Sequence, residues 1–305
     1  MAKSKAPAAS VKKAVSDENK PIRHLYLIDG SGYLFRAYHA LPPMTRPDGT
    51  PVNAVLGFSR MLTQLLDDPE VDHVAVILDA GRTTFRHDIY DKYKAHRPEP
   101  PEDLIPQFPL IREAAKAFGL PCCELENYEA DDLIATYARM AVEAGGTCTI
   151  VSSDKDLMQL VRPGVEMMDP IKHKKIGPAE VMEKFGVTPD KVVDVQALAG
   201  DSTDNVPGVP GIGVKTAAQL LNEYGDLETL LTRAGEIKQP KRREALIEHA
   251  EMARISKQLV KLRDDVPPPA DPDSFDKRRP DPNVLLPWLE FQGFNSLLPK
   301  FRKEL

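Results

Sequence analysis

Acidic residues recur directly after short apolar runs of this sequence. Asp29 follows HLYLI, Asp79 follows HVAVIL, and Asp154 and Asp156 follow TCTIV and a pair of serines. Each run has the length and composition of a strand buried in a parallel sheet. In such a sheet, ligands gather at the edge formed by the carboxyl ends of the strands. We therefore expect these four carboxylates to converge, although they lie far apart in the chain.

Five further acids occur where the chain enters or leaves helical patterns. They are Glu129, Asp131 and Asp132 in EADD, and Asp201 and Asp204 in GDSTD. Acids in a first helical turn also have an ordinary role, because they cap the helix and complement its dipole. Asp154 could likewise be only an N-cap, and Asp29 only a turn residue. Any one of these acids alone is therefore weak support for a functional site.

Taken together, the acids predict a metal site. Carboxylates gathered at one edge of a sheet would repel one another without cations, and oxygen ligands favour Mg²⁺ or Mn²⁺. The sequence offers no Ser-His-Asp or Cys-His arrangement for another chemistry. Two such ions can hold a phosphate, activate water and stabilise the leaving oxygen. The constellation thus predicts metal-dependent phosphodiester hydrolysis.

The segment from Arg82 to Arg97 alternates cations with aromatic rings. The cations are Arg82, Arg86, Lys92, Lys94 and Arg97, and the rings are Phe85, Tyr90 and Tyr93. This combination suits a single nucleic-acid strand, whose bases stack on rings and whose phosphates need neutralising. The ordinary alternative is a solvated helix face whose aromatic side chains pack inward.

The segment GDSTDNVPGVPGIGVKTA ends one helical pattern and begins another. Gly208, Gly211 and Gly213 lack a Cβ, so backbone could approach closely there. Backbone N–H groups and the following helix N-terminus could then face a phosphate. The pattern matches hairpins of sequence-independent DNA binders, and the alternative is a simple Pro/Gly-rich connector.

The apolar periodicity predicts an α/β core followed by a helical half. Strands are expected at 24–28, 73–78 and 147–151, and helices at 53–66, 104–118 and 130–144. Strands that alternate with helices imply right-handed βαβ units and a parallel-rich central sheet flanked by helices. After about Gly177 the patterns are helical, at 179–185, 189–198, 215–224, 227–233, 242–260 and 283–291. We predict a disordered tail at 1–20, a core at 21–176 with a helical arch near 82–118, and a helical DNA-binding subdomain at 177–305.

Composition is that of an ordinary soluble protein. Of the 305 residues, 42% are hydrophobic and 28% are charged, and no apolar run approaches a membrane span. The three cysteines form no CxxC pair, so we interpret them as small buried hydrophobes rather than zinc ligands. The net charge of −6 becomes +3 when the nine candidate ligands are set aside. The remaining surface is then mildly basic, as nucleic-acid binding requires.

Five ordered motifs resemble the 5′ nuclease module of bacterial DNA polymerase I and the flap endonucleases. They are LIDGSGYLFRAYHAL, VILDAGRTTFRHDIYDKYKAHR, YEADD, SSDKDLMQL and GDSTDNVPGVPGIGVKTA. The resemblance runs from about Ile22 to Leu298. It implies a PIN-like, resolvase-like core and a helical subdomain containing a helix–three-turn–helix.

The resemblance also implies roles for individual residues. All nine acids match metal ligands of the family: Asp29, Asp79, Glu129, Asp131, Asp132, Asp154, Asp156, Asp201 and Asp204. Lys94 and Arg97 match the basic residues that approach the scissile phosphate and act in catalysis with Asp79 and Asp154. DNA contacts are implied at Tyr33, Phe35, Arg36, Tyr38, Arg82, Phe85, Arg86, Gly208, Gly211, Gly213, Lys215 and Thr216. The implied cofactors are two Mg²⁺ or Mn²⁺ ions, with K⁺ possible at the hairpin.

From this resemblance we expect a structure-specific 5′-3′ exonuclease and flap endonuclease acting on branched, nicked or 5′-flap DNA in replication and repair. The alternatives are a catalytically silent DNA-junction binder and a ribonuclease of the related PIN type. We expect a monomeric cytoplasmic protein, associated with the bacterial nucleoid and not with a membrane. In the family polymerase, further domains follow the module, so the resemblance allows for a longer protein with polymerase domains after this chain.

Overall fold

The computed structural model describes residues 22–304, so the predicted tail at 1–20 lies outside the described residues. A six-stranded sheet has the order β3-β2-β1-β4-β5-β6, and all neighbours are parallel except the pair β5–β6. Its strands are β1 (His24–Asp29), β2 (His73–Ile77), β3 (Cys122–Cys123), β4 (Thr147–Val151), β5 (Val165–Met168) and β6 (Lys175–Ile176). The predicted parallel-rich sheet is present, and the sequence patterns missed its three short strands, β3, β5 and β6.

Helices cover both faces of the sheet. Those of the α/β part are α1 (Gly30–Ala40), α2 (Asn53–Asp67), α3 (Phe85–Ile89), α4 (Gln107–Ala117) and α5 (Ala130–Glu143). Successive residues of β1 point to opposite faces, so Leu25 and Leu27 pack in the core beside α5, whereas Tyr26 and Ile28 pack in the core formed with α1, α2 and α4. Helix α1, which begins directly after Asp29, was not predicted.

From Gly177 to Glu304, the described regular structure is helical. It comprises α6 (Pro178–Phe185), α7 (Val192–Ala199), α8 (Val214–Tyr224), α9 (Leu227–Thr232), α10 (Pro240–Glu248), α11 (Ala250–Val260), α12 (Pro282–Gln292) and α13 (Leu298–Glu304), with short 3-10 turns. Helices α12 and α13 return to pack on the face of the sheet that α1, α2 and α4 cover. The predicted single helix at 242–260 is two helices that meet at His249. None of the helices between residues 22 and 304 is long and apolar enough to cross a membrane.

The segment 82–118 is helical only near its two ends. Turns and extended backbone occupy most of the chain between α3 and α4. Prolines at 98, 100 and 101 lack the backbone N–H that a helix interior needs, so a continuous helical arch does not form there.

The expectation that all three cysteines are buried was partly wrong, because Cys122 lies exposed on the edge strand while Cys123 and Cys148 are buried.

A buried ion pair links the α/β part to the helical half. The Arg86 guanidinium on α3 donates to both oxygens of Asp132 on α5, at 2.7 and 2.8 Å, and to the Leu259 carbonyl of α11 at 2.7 Å. Asp132 also accepts the backbone N–H groups of Glu129 and Arg263. Two expectations are therefore corrected. Asp132 is a structural and capping carboxylate rather than a free metal ligand, and Arg86 is buried rather than presented to DNA.

We predict that Asp132→Asn destabilises the fold by about 3–5 kcal/mol, because it leaves the buried Arg86 charge without its partner. Urea unfolding should show a lower midpoint. Replacing both partners, as Arg86→Met with Asp132→Leu, should recover only part of the loss, because the backbone groups of Glu129, Leu259 and Arg263 still lose their side-chain partners. The exposed pair Arg82–Glu99 is the matched control, since its side chains are 63% and 79% exposed. A midpoint for Asp132→Asn no lower than that of Glu99→Gln would contradict the structural role.

Candidate active site

All of the predicted acids except Asp132 meet at one edge of the sheet. Asp29 ends β1, Asp79 lies two residues after β2, and Asp154 lies three residues after β4. Glu129 is the N-cap of α5 and Asp131 lies in the first turn of that helix. A narrow cleft beside them is lined by Glu129, Asp131, Asp156, Asp201 and Asp204, together with Arg86 and Tyr93. Fold topology therefore collects carboxylates from five separate places in the sequence.

Asp29 is held by both of its oxygens. Oδ1 accepts the Gly32 N–H at 2.8 Å and so caps α1, and Oδ2 accepts the Ser152 hydroxyl at 2.7 Å. A Cβ on Gly32 would lie 2.3 Å from Asp29 Oδ2, so any larger residue at this position would displace the Asp29 carboxylate. Burial, together with the charges of Asp154 and Asp79, raises the pKa of Asp29 to about 6, although these two hydrogen bonds act to lower it.

Two more carboxylates have a raised pKa. Burial raises the pKa of Asp131 well above its usual range, and the charges of Asp154 and Asp29 add to the effect. Burial also raises the pKa of Asp156 to about 7, with further contributions from Asp154 and Asp204. Such mutual repulsion is what a divalent cation relieves, and every donor in the cluster is an oxygen. The donor chemistry of these residues therefore suits a hard divalent ion.

Internal cations contact several of these carboxylates. Lys94 Nζ lies 2.7 Å from Glu129 Oε1 and 3.8 Å from Asp204 Oδ2, and Arg97 Nη2 lies 2.6 Å from Asp204 Oδ1. Lys155 pairs with Asp201. Within residues 22–304, no three His, Cys, Asp or Glu side chains are placed closely enough to hold a metal ion between them. Lys94, Arg97 and Lys155 therefore contact carboxylate oxygens that a metal ion would also use.

Lys155, Ser152 and Gln196 were not anticipated as site residues. Gln196 on α7 donates its amide to Asp156 Oδ1 at 2.5 Å, and Ser152 Oγ also accepts the Asp154 N–H at 3.0 Å. For Lys155 a signal existed, since it lies between two predicted ligands in SSDKD. The contact of Gln196 depends on how α7 packs against the strand edge, which sequence spacing does not reveal.

The predicted contacts on α1 separate into core and surface residues. Tyr33 is buried and donates to the Gly57 carbonyl at 3.2 Å, so its assignment as a DNA contact is corrected to a packing role. Arg36 pairs with Asp169, and the Tyr38 hydroxyl donates to Asp103. Phe35 is 38% exposed and meets Phe108 edge to face. Of the two predicted aromatic contacts at 33 and 35, Phe35 is the one that presents its ring to solvent.

The predicted hairpin lies between α7 and α8. Gly208 is buried with φ +62°, and a Cβ there would lie 2.4 Å from the Gly200 nitrogen. Gly208 therefore serves backbone packing, which corrects its assignment as a phosphate contact. Gly211, Gly213 and Lys215 are exposed, and Thr216 is half-buried, where α8 begins.

In the basic segment from Arg82 to Arg97, Arg82 is exposed, and the Phe85 ring lies under the Arg86 guanidinium.

Comparison with known proteins is consistent with this geometry. A family model described as the N-terminal resolvase-like domain of 5′-3′ exonuclease matches residues 24–186. A second model, the C-terminal SAM fold of 5′-3′ exonuclease, matches residues 187–283. The chain belongs to the 5′-3′ exonuclease family. The resemblance predicted from the five motifs is therefore confirmed, and the chain is a nuclease of this type.

Individual relatives support the same family. This 5′-3′ exonuclease chain is 56% identical over 293 residues to DNA polymerase I of Rhizobium leguminosarum, a match that covers 93% of the chain and 29% of that relative. It is 38% identical over 282 residues to a 5′-3′ exonuclease of Aquifex aeolicus, covering 92% and 96% respectively. The chain thus spans less than a third of the Rhizobium polymerase but nearly all of the Aquifex exonuclease.

A solved structure shares the fold. The T5 5′-exonuclease, determined with divalent metal ions (zinc) bound, has a TM-score of 0.67 at 20% identity. The match covers 92% of this chain and 98% of the T5 chain. The predicted α/β fold with a parallel-rich sheet flanked by helices is confirmed.

We predict that the metal-free 5′-3′ exonuclease chain loses stability as pH rises from about 4 to about 7. The folded state retains a proton on Asp156 that the unfolded chain releases, because the pKa of Asp156 is raised from 3.8 to about 7. Thermal unfolding across this range in chelator should show a smaller loss for Asp156→Asn. The exposed Glu126→Gln variant should follow the wild type. Parallel curves for Asp156→Asn and the wild type would contradict the prediction.

Proposed function

We propose that this chain is a structure-specific 5′-3′ exonuclease and flap endonuclease that hydrolyses DNA phosphodiesters at junctions of a 5′ single strand with duplex, using two Mg²⁺ or Mn²⁺ ions. The observation that carries the proposal is the cluster of carboxylates with raised pKa at the sheet edge, directly beside Lys94 and Arg97. An all-oxygen cluster holds hard divalent ions, and the adjacent cations suit a phosphate. The divalent ions bound to the T5 5′-exonuclease support the same requirement here.

The carboxylates divide between the two parts of the chain. Asp79, Glu129, Asp131, Asp154 and Asp156 would hold one ion, with Asp29 beside them, and Asp201 and Asp204 would serve the second. When bound, the ions supply electrophilic stabilisation of the phosphate and activation of water. Ser152 keeps Asp29 oriented through its hydroxyl, and Gln196 does the same for Asp156. These hydrogen bonds preorganise the ligands before substrate arrives.

Lys94 and Arg97 would act on the phosphate itself. Divalent ions would compete for the carboxylate oxygens that these two side chains contact. The substrate phosphate would bind the ammonium and guanidinium that are released in this way. The Lys94 side chain is only 18% exposed, so its charge acts where water screens it little. Positive charge placed there stabilises the negative charge that develops in the transition state.

Exposed groups near the site would bind duplex DNA and the single strand near the cut. The Gly211–Gly213 turn and the N-terminus of α8 face solvent and would bind duplex phosphates, with K⁺ as a possible partner. Phe35 and Arg82 would contact the strand near the cut, through stacking and charge. A long protein like the polymerase I relatives would use such a module on primers and flaps in replication and repair, in the cytoplasm beside the nucleoid.

Cleavage of a labelled 5′-flap duplex tests the function. We expect cleavage near the junction with Mg²⁺ or Mn²⁺, with products carrying 5′-phosphate and 3′-hydroxyl groups, and no cleavage in excess chelator. Blunt duplex and single-stranded RNA serve as comparison substrates. Full activity in chelator would contradict the metal requirement, and cleavage of the RNA in preference to the flap would favour a PIN-type ribonuclease.

The Asp154→Ala variant separates chemistry from binding. It should lose turnover yet bind the flap as well as the wild type or more tightly, because removing a carboxylate lessens repulsion of phosphate. Flap binding by the wild type without any cleavage, under every divalent ion tried, would favour the silent junction binder.

We predict that Lys94→Ala lowers the single-turnover cleavage rate at least ~100-fold, the scale of one lost electrostatic donor. The dissociation constant for the same flap should change far less, since other cations also contact the backbone. Rates and binding should be measured on one substrate. Lys92→Ala is the matched control, because Lys92 is exposed on the same segment and its side chain pairs with none of the carboxylates described. A Lys94→Ala variant that cleaves normally would remove Lys94 from catalysis.

A further inference from the structure

Two residues on neighbouring, hydrogen-bonded segments beside the active site have unusual backbone conformations. Lys94 has φ +55° and Asn205 has φ +56°. The left-handed region is costly for a side chain such as lysine, whereas asparagine tolerates it better than most residues. Among residues 22–304, only Asn127 and His173 share this property outside glycine. A strained lysine persists only where its surroundings hold it.

Reciprocal hydrogen bonds hold this lysine. The Lys94 N–H donates to the Asp204 carbonyl at 2.9 Å, and the Asn205 Nδ2 donates to the Lys92 carbonyl at 2.6 Å. The partner of the Asn205 side chain is a carbonyl oxygen, so the amide nitrogen must be the atom that faces it. The segment around Lys94 is thus tied at two points, Lys92 and Lys94, to the neighbouring residues Asp204 and Asn205.

The loop that makes these contacts is itself closed. Asp201 and Val206 exchange two backbone hydrogen bonds, of 2.9 and 2.8 Å, around the residues between them. The Arg97 side chain adds a third tie to the same loop through Asp204. Asn205 therefore lies on a short closed loop, two residues before Pro207, which begins the hairpin's first prolyl-glycine pair.

We propose that Asn205 is a positioning residue that holds Lys94 for the phosphate. Asn205 itself is not among the acids or the DNA contacts, and it acts through the backbone on either side of Lys94. Its amide fixes the Lys92 carbonyl, its backbone conformation presents the Asp204 carbonyl to the Lys94 N–H, and the lysine is held in its left-handed state as a result. This inference rests on the proposed role of Lys94 in cleavage.

The test is a double-mutant cycle on the 5′-flap substrate. Asn205→Gly keeps the left-handed backbone accessible but removes the amide, so we expect a single-turnover rate at least ~10-fold lower, as for a misplaced catalytic group. Flap affinity should change far less. In the Lys94→Ala background, Asn205→Gly should have no further effect, because residues that act through one another are not additive.

Two further variants sharpen the test. Asn205→Asp keeps the size of the side chain and its tolerance of the left-handed backbone, but it presents oxygen instead of N–H to the Lys92 carbonyl. We therefore expect a lower single-turnover rate for this variant too. It replaces the glycine variant if that variant does not fold. His173→Gly is the matched control, because His173 is an exposed left-handed residue in the β5–β6 turn. It should cleave at the wild-type rate.

Outcomes separate the inference from the proposed function. If Lys94→Ala is slow while both Asn205 variants cleave normally, the positioning role is wrong and the role of Lys94 stands. Losses from Asn205→Gly and Lys94→Ala that simply add would also overturn the inference, since they would show that Asn205 acts independently of Lys94. If Lys94→Ala itself cleaves normally, the proposed role of Lys94 is wrong and the inference falls with it.

Discussion

Repulsion among carboxylates gathered at one end of a parallel sheet is the constraint on which the rest of this structure depends. Burial and neighbouring negative charge raise the pKa of Asp29, Asp131 and Asp156 together. Charges in such a position are unfavourable without partners, because the protein interior solvates them poorly. The surrounding structure is therefore organised to supply positive charge and hydrogen-bond donors to this edge.

Positive charge reaches the edge from two places in the α/β part of the chain. Lys94 and Arg97 come from the loop between α3 and α4, and Lys155 comes from the turn after β4. Deeper in the fold, Arg86 binds Asp132 and the α11 carbonyl of Leu259, so one buried guanidinium joins three elements. An exposed pair would contribute little, whereas a buried pair is costly to break. Ion pairs thus stabilise the carboxylates of the site at the sheet edge, and another ion pair stabilises the fold in the interior.

The active site belongs to neither matched domain alone. Residues 24–186 supply most of the carboxylates and the cations, while residues 187–283 supply Asp201, Asp204 and Gln196. Contacts such as Gln196 with Asp156 and Arg97 with Asp204 cross between them. The loop that carries Asp204 continues directly into the exposed turn before α8. The proposed duplex binding at that turn and the proposed chemistry at the sheet edge would therefore be connected through a few residues of backbone.

Much of the fold and the carboxylate site could be predicted from the sequence alone. Apolar runs that end in acids indicate buried parallel strands, and the shared edge of such strands brought Asp29, Asp79 and Asp154 together as expected. Motif order was enough to predict the family. These features depend on local periodicity and on general rules of sheet topology, both of which can be read from spacing.

Only the tertiary structure decided which members of a motif do which task. Asp131 and Asp132 are adjacent in EADD, yet successive residues of a helix point about 100° apart. One therefore faces the cleft, and the other turns into the core to meet Arg86. Tyr33 and Phe35 divide in the same way between core and surface, and Gly208 packs against Gly200 while Gly211 faces solvent. Residue type and spacing specify that a group is present, but its partners across the fold determine whether it is free to act.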